Sequence, residues 1–218
     1  MKKLILLSLL LIFLSEIYCQ SFQIHKGYTG RRHRGFYLSM GLGASNTNIK
    51  ATSEAFGTTT FKGMGSIFDL KVGGAVVDNV ILHATFIGQG LVGPQINNEE
   101  FGIDYIKSDN KYSISQGMIG VGITYYTPIN ILLSASAGIG GFTVIDETDD
   151  IDFTTKNGPC LQLKAGKEWW VSRKWLLGVA AYYYTCGVVN DMGDYGNEDV
   201  RSNNLGLVFN ITYNGRKR

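Results

Sequence analysis

The sequence predicts an all-β fold, an eight-stranded antiparallel up-and-down β-barrel of the transmembrane class. Three observations lead to this prediction. Apolar residues alternate with small or polar ones in segment after segment, and short turns between these segments alternate with long polar connections. The composition combines 28 glycines and 12% aromatic residues with only 17% charged residues in a chain of 218. Alternation with a period of two indicates a strand with one apolar face, and this composition favours closely packed strands over a disordered chain.

The last predicted strand, at 204–213, shows the alternation most fully. One face collects the apolar side chains Leu205, Leu207, Phe209, Ile211 and Tyr213. The other face is small or polar and consists of Gly206, Val208, Asn210 and Thr212. A strand of about ten residues with one apolar face, ending on an aromatic residue, is typical of a span of the outer membrane.

Seven earlier segments repeat this pattern. They are Gly35–Ser45, Ser66–Val77, Val80–Gly90, Tyr112–Tyr126, Ile131–Val144, Cys160–Val171 and Trp175–Val188. We expect the first of them to pair with the last strand, since a closed barrel leaves no strand edge in the membrane.

The connections alternate in length. Short turns are predicted at 77–79, 127–130 and 172–174, and long polar loops at 46–65, 91–111, 145–159 and 189–203. The long connections hold most of the acidic residues, whereas both chain ends and the turn at 172–174 are basic. Short periplasmic turns, long extracellular loops and an even strand count are the layout of an outer-membrane barrel.

The polarity of the two strand faces decides which side lines the interior. A soluble barrel of the lipocalin kind would enclose its apolar face, whereas a membrane barrel turns that face outwards. An eight-stranded interior is only wide enough for side chains to fill, which suits the small and polar face. Aromatic residues are expected as girdles, with Phe36, Tyr125, Trp169, Trp175 and Tyr213 at the periplasmic ends of the strands and Tyr112 and Tyr183 at the outer ends.

The N-terminus is predicted to be a signal peptide covering 1–19. Two lysines precede an apolar run at 4–14, and Cys19 is small enough for the last position before cleavage. The alternative is that Cys19 becomes a lipidated N-terminal residue. The predicted domains are then a periplasmic lead-in at 20–34, the barrel at 35–213 and a periplasmic basic tail at 214–218.

Two stretches carry a resemblance to a known family. The segments Arg34–Gly43 and Leu205–Tyr213 resemble small outer-membrane β-barrel proteins of the OmpA/OmpX kind, particularly the porin-family barrels of Bacteroidetes. The second stretch looks like the terminal signal that the barrel-assembly machinery recognises, although five residues follow its aromatic end where many members stop. The resemblance implies a fold and an outer-membrane location in a Gram-negative bacterium, and it implies no activity.

Five charged or titratable side chains are predicted to face the barrel interior. They are Asp69, Lys71, His83, Lys164 and Glu168. Opposite charges in so narrow a space must pair or be solvated, because an isolated buried charge is very costly. We predict a luminal polar network that plugs the bore; the alternative is a gated ion path.

Cys160 and Cys186 are predicted to form a disulfide. If the turn at 172–174 has three residues, Val171 opposes Trp175, and continuing this register places the two cysteines directly opposite each other. Such a cross-strand pair is compatible with a disulfide, and the cell envelope is oxidising. The alternative is two free thiols displaced by a bulge.

No catalytic, cofactor or metal motif stands out. The three histidines lie at 25, 33 and 83, in the lead-in or inside the barrel, so none is predicted in a loop where it could act as a base. We therefore expect no enzyme, no cofactor and no nucleic-acid partner. The expected role is structural, with surface loops that contact a ligand or protein partner and a barrel that contacts lipid and lipopolysaccharide. The alternatives are a narrow porin-like channel for small solutes and a subunit of a secretion or assembly complex.

Overall fold

Eleven β-strands, joined in one antiparallel sheet, are found in the computed structural model, which describes residues 31–98, 100–109, 111–147, 151–191 and 196–215. The strands are β1 Phe36–Ser53, β2 Gly57–Val77, β3 Val80–Val92, β4 Gln95–Asn98, β5 Ile103–Lys107, β6 Tyr112–Tyr126, β7 Ile131–Asp146, β8 Ile151–Thr154, β9 Gly158–Trp170, β10 Trp175–Asp191 and β11 Asn197–Asn214. Within these ranges no helix is long and apolar enough to span a membrane. The predicted signal peptide and most of the basic tail lie outside the described residues.

Eight of the strands form a closed ring. Each long strand pairs with the next in the order β1, β2, β3, β6, β7, β9, β10 and β11, and β1 also pairs with β11. The predicted pairing of the first and last strands is present, with Leu38 opposite Tyr213 and Leu42 opposite Phe209. Closure satisfies the hydrogen-bonding groups on both edges of the sheet.

Strands replace most of the predicted long loops, so those loop boundaries are wrong. The β1–β2 ladder runs on to the pair Ser53 and Gly57, and the β10–β11 ladder runs on to Asp191 and Asn197. The short strands β4, β5 and β8 fill parts of the other two connections. Polar residues such as Asn46, Asn48 and Lys50 interrupt the apolar pattern in these stretches, although inward residues such as Ile49 and Val200 are buried. Once neighbouring strands are aligned, the backbone groups of these stretches continue the ladder.

The ring has two different ends. The short-turn end carries the connections at 78–79, 127–130 and 171–174, together with residues 31–35 and 215. The long-hairpin end carries the extended strands and β4, β5 and β8. Asn79 and Asn130 adopt positive φ angles of 66° and 59° in the tight turns, a conformation that asparagine tolerates better than most residues.

The outer face of the ring is apolar, and the inner face is mixed. Outward side chains include Leu42, Val121 and Phe209, each at least 64% exposed. The inner face carries the predicted polar residues but also buried apolar ones, among them Ile81, Ile87, Met118 and Leu132. The prediction that Tyr112 belongs to the outer aromatic girdle is wrong. Its side chain packs inwards against the buried cluster and stacks on Phe61, with ring centroids 6.0 Å apart.

Candidate functional site

Three of the five predicted interior residues form one ion cluster in the middle of the ring. Asp69 on β2 lies between two ammonium groups, with Lys164 Nζ 2.7 Å from Oδ2 and Lys71 Nζ 3.3 Å from Oδ1. Lys71 and Asp69 are two residues apart on the same strand and therefore share a face. All three side chains are at most 3% exposed.

Neutral polar groups complete the coordination of the two lysines. Lys71 donates to Gln162 (2.5 Å) and to Ser136 (3.3 Å), while Lys164 donates to Asn210 (3.0 Å). These partners come from β7, β9 and β11, so the cluster ties opposite walls of the ring together. Hydrogen bonds of this kind are what a buried charge needs in order to be tolerated.

Glu168 forms a separate site nearer the short-turn end. Its carboxylate accepts hydrogen bonds from Tyr126 (2.8 Å) and Thr212 (2.9 Å). Gly178 lies directly opposite on β10, where a Cβ atom would overlap the Glu168 side chain, so the glycine provides the room. Among the five predicted interior residues, two carboxylates and two ammonium groups thus face the interior, and their formal charges cancel.

Among the described residues, hydroxyl groups connect His83 to the ion cluster. Its ring nitrogens lie 2.9 Å from Thr85 and 2.9 Å from Thr124. Thr85 in turn donates to Ser136 (3.1 Å), which also accepts from Lys71. The five residues thus occupy one interior but fall into an ion cluster and two neighbouring hydrogen-bonded sites.

His33, which was predicted to lie in the polar periplasmic lead-in, closes the short-turn end. Its ring is fully buried and stacks on Tyr126, with centroids 3.6 Å apart and planes 9° apart. Its side chain lies 3.2 Å from Asn130 Oδ1, and its backbone nitrogen donates to Asn79 (2.9 Å). Burial lowers the pKa of His33 to about 4, although the contact with Asn130 opposes this. A single histidine in a polar stretch gives no periodic signal, so the sequence could not reveal it.

The arginines around His33 fix the same segment to the first turn. Arg34 bonds Asp78 Oδ1 at 2.5 Å, and Arg32 bonds Asp78 Oδ2 at 2.6 Å. Hydrogen bonds from both guanidinium groups lower the pKa of Asp78 to about 2. Arg31 lies over the ring of Trp170, 5.7 Å from its centroid. Residues 31–35 are therefore docked across the end of the ring.

The long-hairpin end contains the disulfide and a cavity. Cys160 and Cys186 are bonded, and they occupy the last paired position of β9 and β10, as the predicted register requires. Farther out, a cavity of about 280 Å³ lies between the extended strands, with mostly apolar and aromatic walls. The sequence pointed to the disulfide through its register but gave no sign of the cavity, whose walls come from six separate strands.

Metal ligation finds no support in the described part of the chain, where no group of three or more potential ligands comes together. The acidic runs at 146–152 and 191–199, in two of the predicted long connections, lie partly outside the described residues. In the remainder, Asp199 pairs with Arg201 at 2.8 Å on the exposed surface.

Comparison with known proteins finds similarity to solved structures alone, since no family model and no curated protein matches the chain. Neisserial surface protein A is 13% identical with a TM-score of 0.45, and the match covers 83% of this chain and 97% of that one. The attachment invasion locus protein Ail of Yersinia pestis is 12% identical with a TM-score of 0.42, and the match covers 81% of this chain and 99% of that one. The outer membrane protein OprG of Pseudomonas aeruginosa is 11% identical with a TM-score of 0.42, and the match covers 86% of this chain and 99% of that one. Function must therefore be inferred from the chain's own surface and interior.

Proposed function

We propose that this protein is an eight-stranded outer-membrane β-barrel that crosses the bilayer with its ring of long strands. The observation that carries the proposal is its inverted polarity. Outward side chains such as Ile119 (66% exposed) and Leu205 (64%) form an apolar surface, while Lys71 and Asp69 are at most 1% exposed inside. Soluble proteins rarely expose apolar patches of more than a few hundred Å². A lipid environment removes that cost, and a closed ring satisfies its backbone there.

Aromatic residues support one orientation of the barrel. At the short-turn end, the Tyr213 ring lies 5.1 Å from that of Trp175 and 6.3 Å from that of Phe36, and Lys174 lies over its face. Aromatic rings beside a basic residue suit the boundary between lipid and water. Short turns face the periplasm in barrels of this class, so the long-hairpin end is proposed to be extracellular.

The contacts in the interior support a plugged barrel. Ion pairs and hydrogen bonds connect its polar side chains across the ring, and His33 with Tyr126 covers the periplasmic end. Both described histidines are buried, so neither lies on the outer surface. The proposed role is thus structural and interactive: the barrel anchors the protein among lipid and lipopolysaccharide, and its extracellular hairpins contact a ligand or partner.

The test is a charge placed on the proposed membrane face. Val121→Arg puts a guanidinium at a position that is 71% exposed in the middle of β6. We expect it to destabilise the folded protein in vesicles by about 2–4 kcal/mol, because lipid solvates a charge poorly. The matched control is Val189→Arg on the extracellular extension of β10, also exposed (58%), which should have little effect.

The folded fraction is measured by heat-modifiable gel migration of the outer-membrane fraction. In intact cells, protease should cut the extracellular hairpins and leave the strands of the ring protected. Equal tolerance of both arginines, together with recovery of the protein in the soluble fraction, would contradict a membrane barrel.

A further inference from the structure

The cavity at the long-hairpin end exists because the ring divides there into two groups of strands. Beyond Gly140, β7 pairs with β8 instead of β9. On β2 the pairing with β3 ends at Gly65, and nearer the long-hairpin end residues 59–62 pair with β4 instead. The space of about 280 Å³ between the two groups is lined by side chains from β1, β2, β6, β7, β8 and β11.

The walls of this cavity combine aromatic faces with one carboxylate. Phe61 and Tyr112 stack with centroids 6.0 Å apart and an interplanar angle of 13°, and Phe142 and Phe153 also line the space. Glu198 is the charged residue among the described lining side chains. It accepts a long hydrogen bond of 3.4 Å from Asn190, its cross-strand neighbour, and within the described residues it forms no salt bridge.

We propose that this cavity binds a small organic cation, an ammonium group attached to a compact aromatic or aliphatic body. The ammonium pairs with the Glu198 carboxylate and faces the neighbouring rings, whose negative π-faces attract cations. The apolar body fills the space beside Phe142. An anion would be repelled by Glu198, and a neutral apolar ligand would bury the carboxylate without compensating its charge.

The volume limits the ligand to a small molecule, since ligand pockets generally begin at about 300 Å³. The inference deepens the proposed surface role and rests on it for one point, that the cavity faces the outside of the cell. Binding itself depends only on the folded chain. It can therefore be measured on the full-length protein in micelles of a neutral detergent.

Three probes with the same aromatic body separate the contribution of charge. Isothermal titration calorimetry with 2-phenylethylammonium, 2-phenylethanol and 3-phenylpropanoate compares a cation, a neutral molecule and an anion. We expect the ammonium to bind about tenfold or more tighter than the alcohol, as for a hydrogen bond to a charged group. The propanoate should show no binding.

Variants locate the site. Glu198→Gln keeps the shape and removes the charge, so it should reduce the ammonium affinity to that of the alcohol. Asp199→Asn is the matched control, because this neighbouring carboxylate pairs with Arg201 on the outer face and should leave binding unchanged. Ala51→Trp fills the cavity and should abolish binding of both ligands.

Heat-modifiable migration of each variant shows that it is folded before titration. Equal affinities for ammonium and alcohol, no ammonium binding by the folded wild type, or full binding by Glu198→Gln or Ala51→Trp overturns the inference. Any of these results leaves the membrane barrel standing. Failure of the arginine test on β6 contradicts the barrel and leaves the binding result intact.

Discussion

Asp69 is the residue on which the interior ion cluster depends, because its single carboxylate faces both Lys164 and Lys71. We expect Asp69→Asn to lower the free energy of unfolding by about 3–5 kcal/mol, since two ammonium groups then stay buried without an anion between them. Urea unfolding followed by heat-modifiable migration measures the change.

Two controls separate charge compensation from packing. Asp199→Asn breaks an exposed pair with Arg201 and should cost less than about 1 kcal/mol. Replacing Asp69 by Leu together with both lysines by Met removes every charge of the cluster and should destabilise less than Asp69→Asn alone. A triple variant as unstable as the single one would show that shape, and not charge, matters at this site.

His33 makes the free energy of unfolding depend on pH, and its effect can be separated from that of the other titratable groups. Its pKa is about 4 in the folded state and ordinarily 6.5, so between these values the unfolded state binds more protons. The contribution of neutral His33 to the free energy of unfolding is therefore complete above pH 6.5. It is lost as the pH falls towards 4, by up to about 3 kcal/mol.

The measurement is the urea midpoint of the wild type and of His33→Gln at pH 7, 5.5 and 4. The difference between the two proteins should shrink as the pH falls, since glutamine does not titrate and other groups affect both proteins alike. A difference that stays constant would contradict the assignment to His33.

Among the strands, the sequence predicted well those with an apolar face and poorly those without one. The β6 boundaries were predicted correctly because Ile119, Val121 and Ile123 mark the face that packs outwards. The outer half of β1, rich in Asn, Thr and Lys, has no outward apolar face, and its ladders with β2 and β11 continue it as a strand. Similarly, Tyr112 was assigned to the wrong face, because an aromatic at the end of a strand suits a girdle as well as an interior.

The β9–β10 hairpin shows that register can be predicted where a short turn defines it. The three-residue turn places Cys160 opposite Cys186, 26 residues apart in the chain, and the structure joins them. We expect the unreduced protein to be two hydrogens lighter than the reduced protein by mass spectrometry. Reduction should lower the free energy of unfolding by roughly 3 kcal/mol, because the unfolded hairpin is then no longer cross-linked.

The Cys160→Ser/Cys186→Ser variant is the control. It should match the reduced protein in stability and be insensitive to reductant. Alkylation of both thiols in the unreduced, unfolded wild type would contradict the disulfide.

For the whole molecule, the side chains in the interior favour the proposed closed anchor over a narrow channel. Bulky buried side chains occupy it at successive levels, from His33 and Tyr126 at one end, through Lys71 and Lys164, to Tyr182 and Tyr184. Moving an ion along this path would require these buried charged pairs to separate, which is very costly. We therefore expect planar bilayers containing the protein to be electrically silent under conditions in which a general porin, reconstituted in the same way, conducts.

Discrete conductance steps that disappear in Lys71→Met/Lys164→Met would instead establish a channel through the ion cluster. Steps that persist in that variant would indicate a path that avoids the cluster, and they too would contradict the closed anchor.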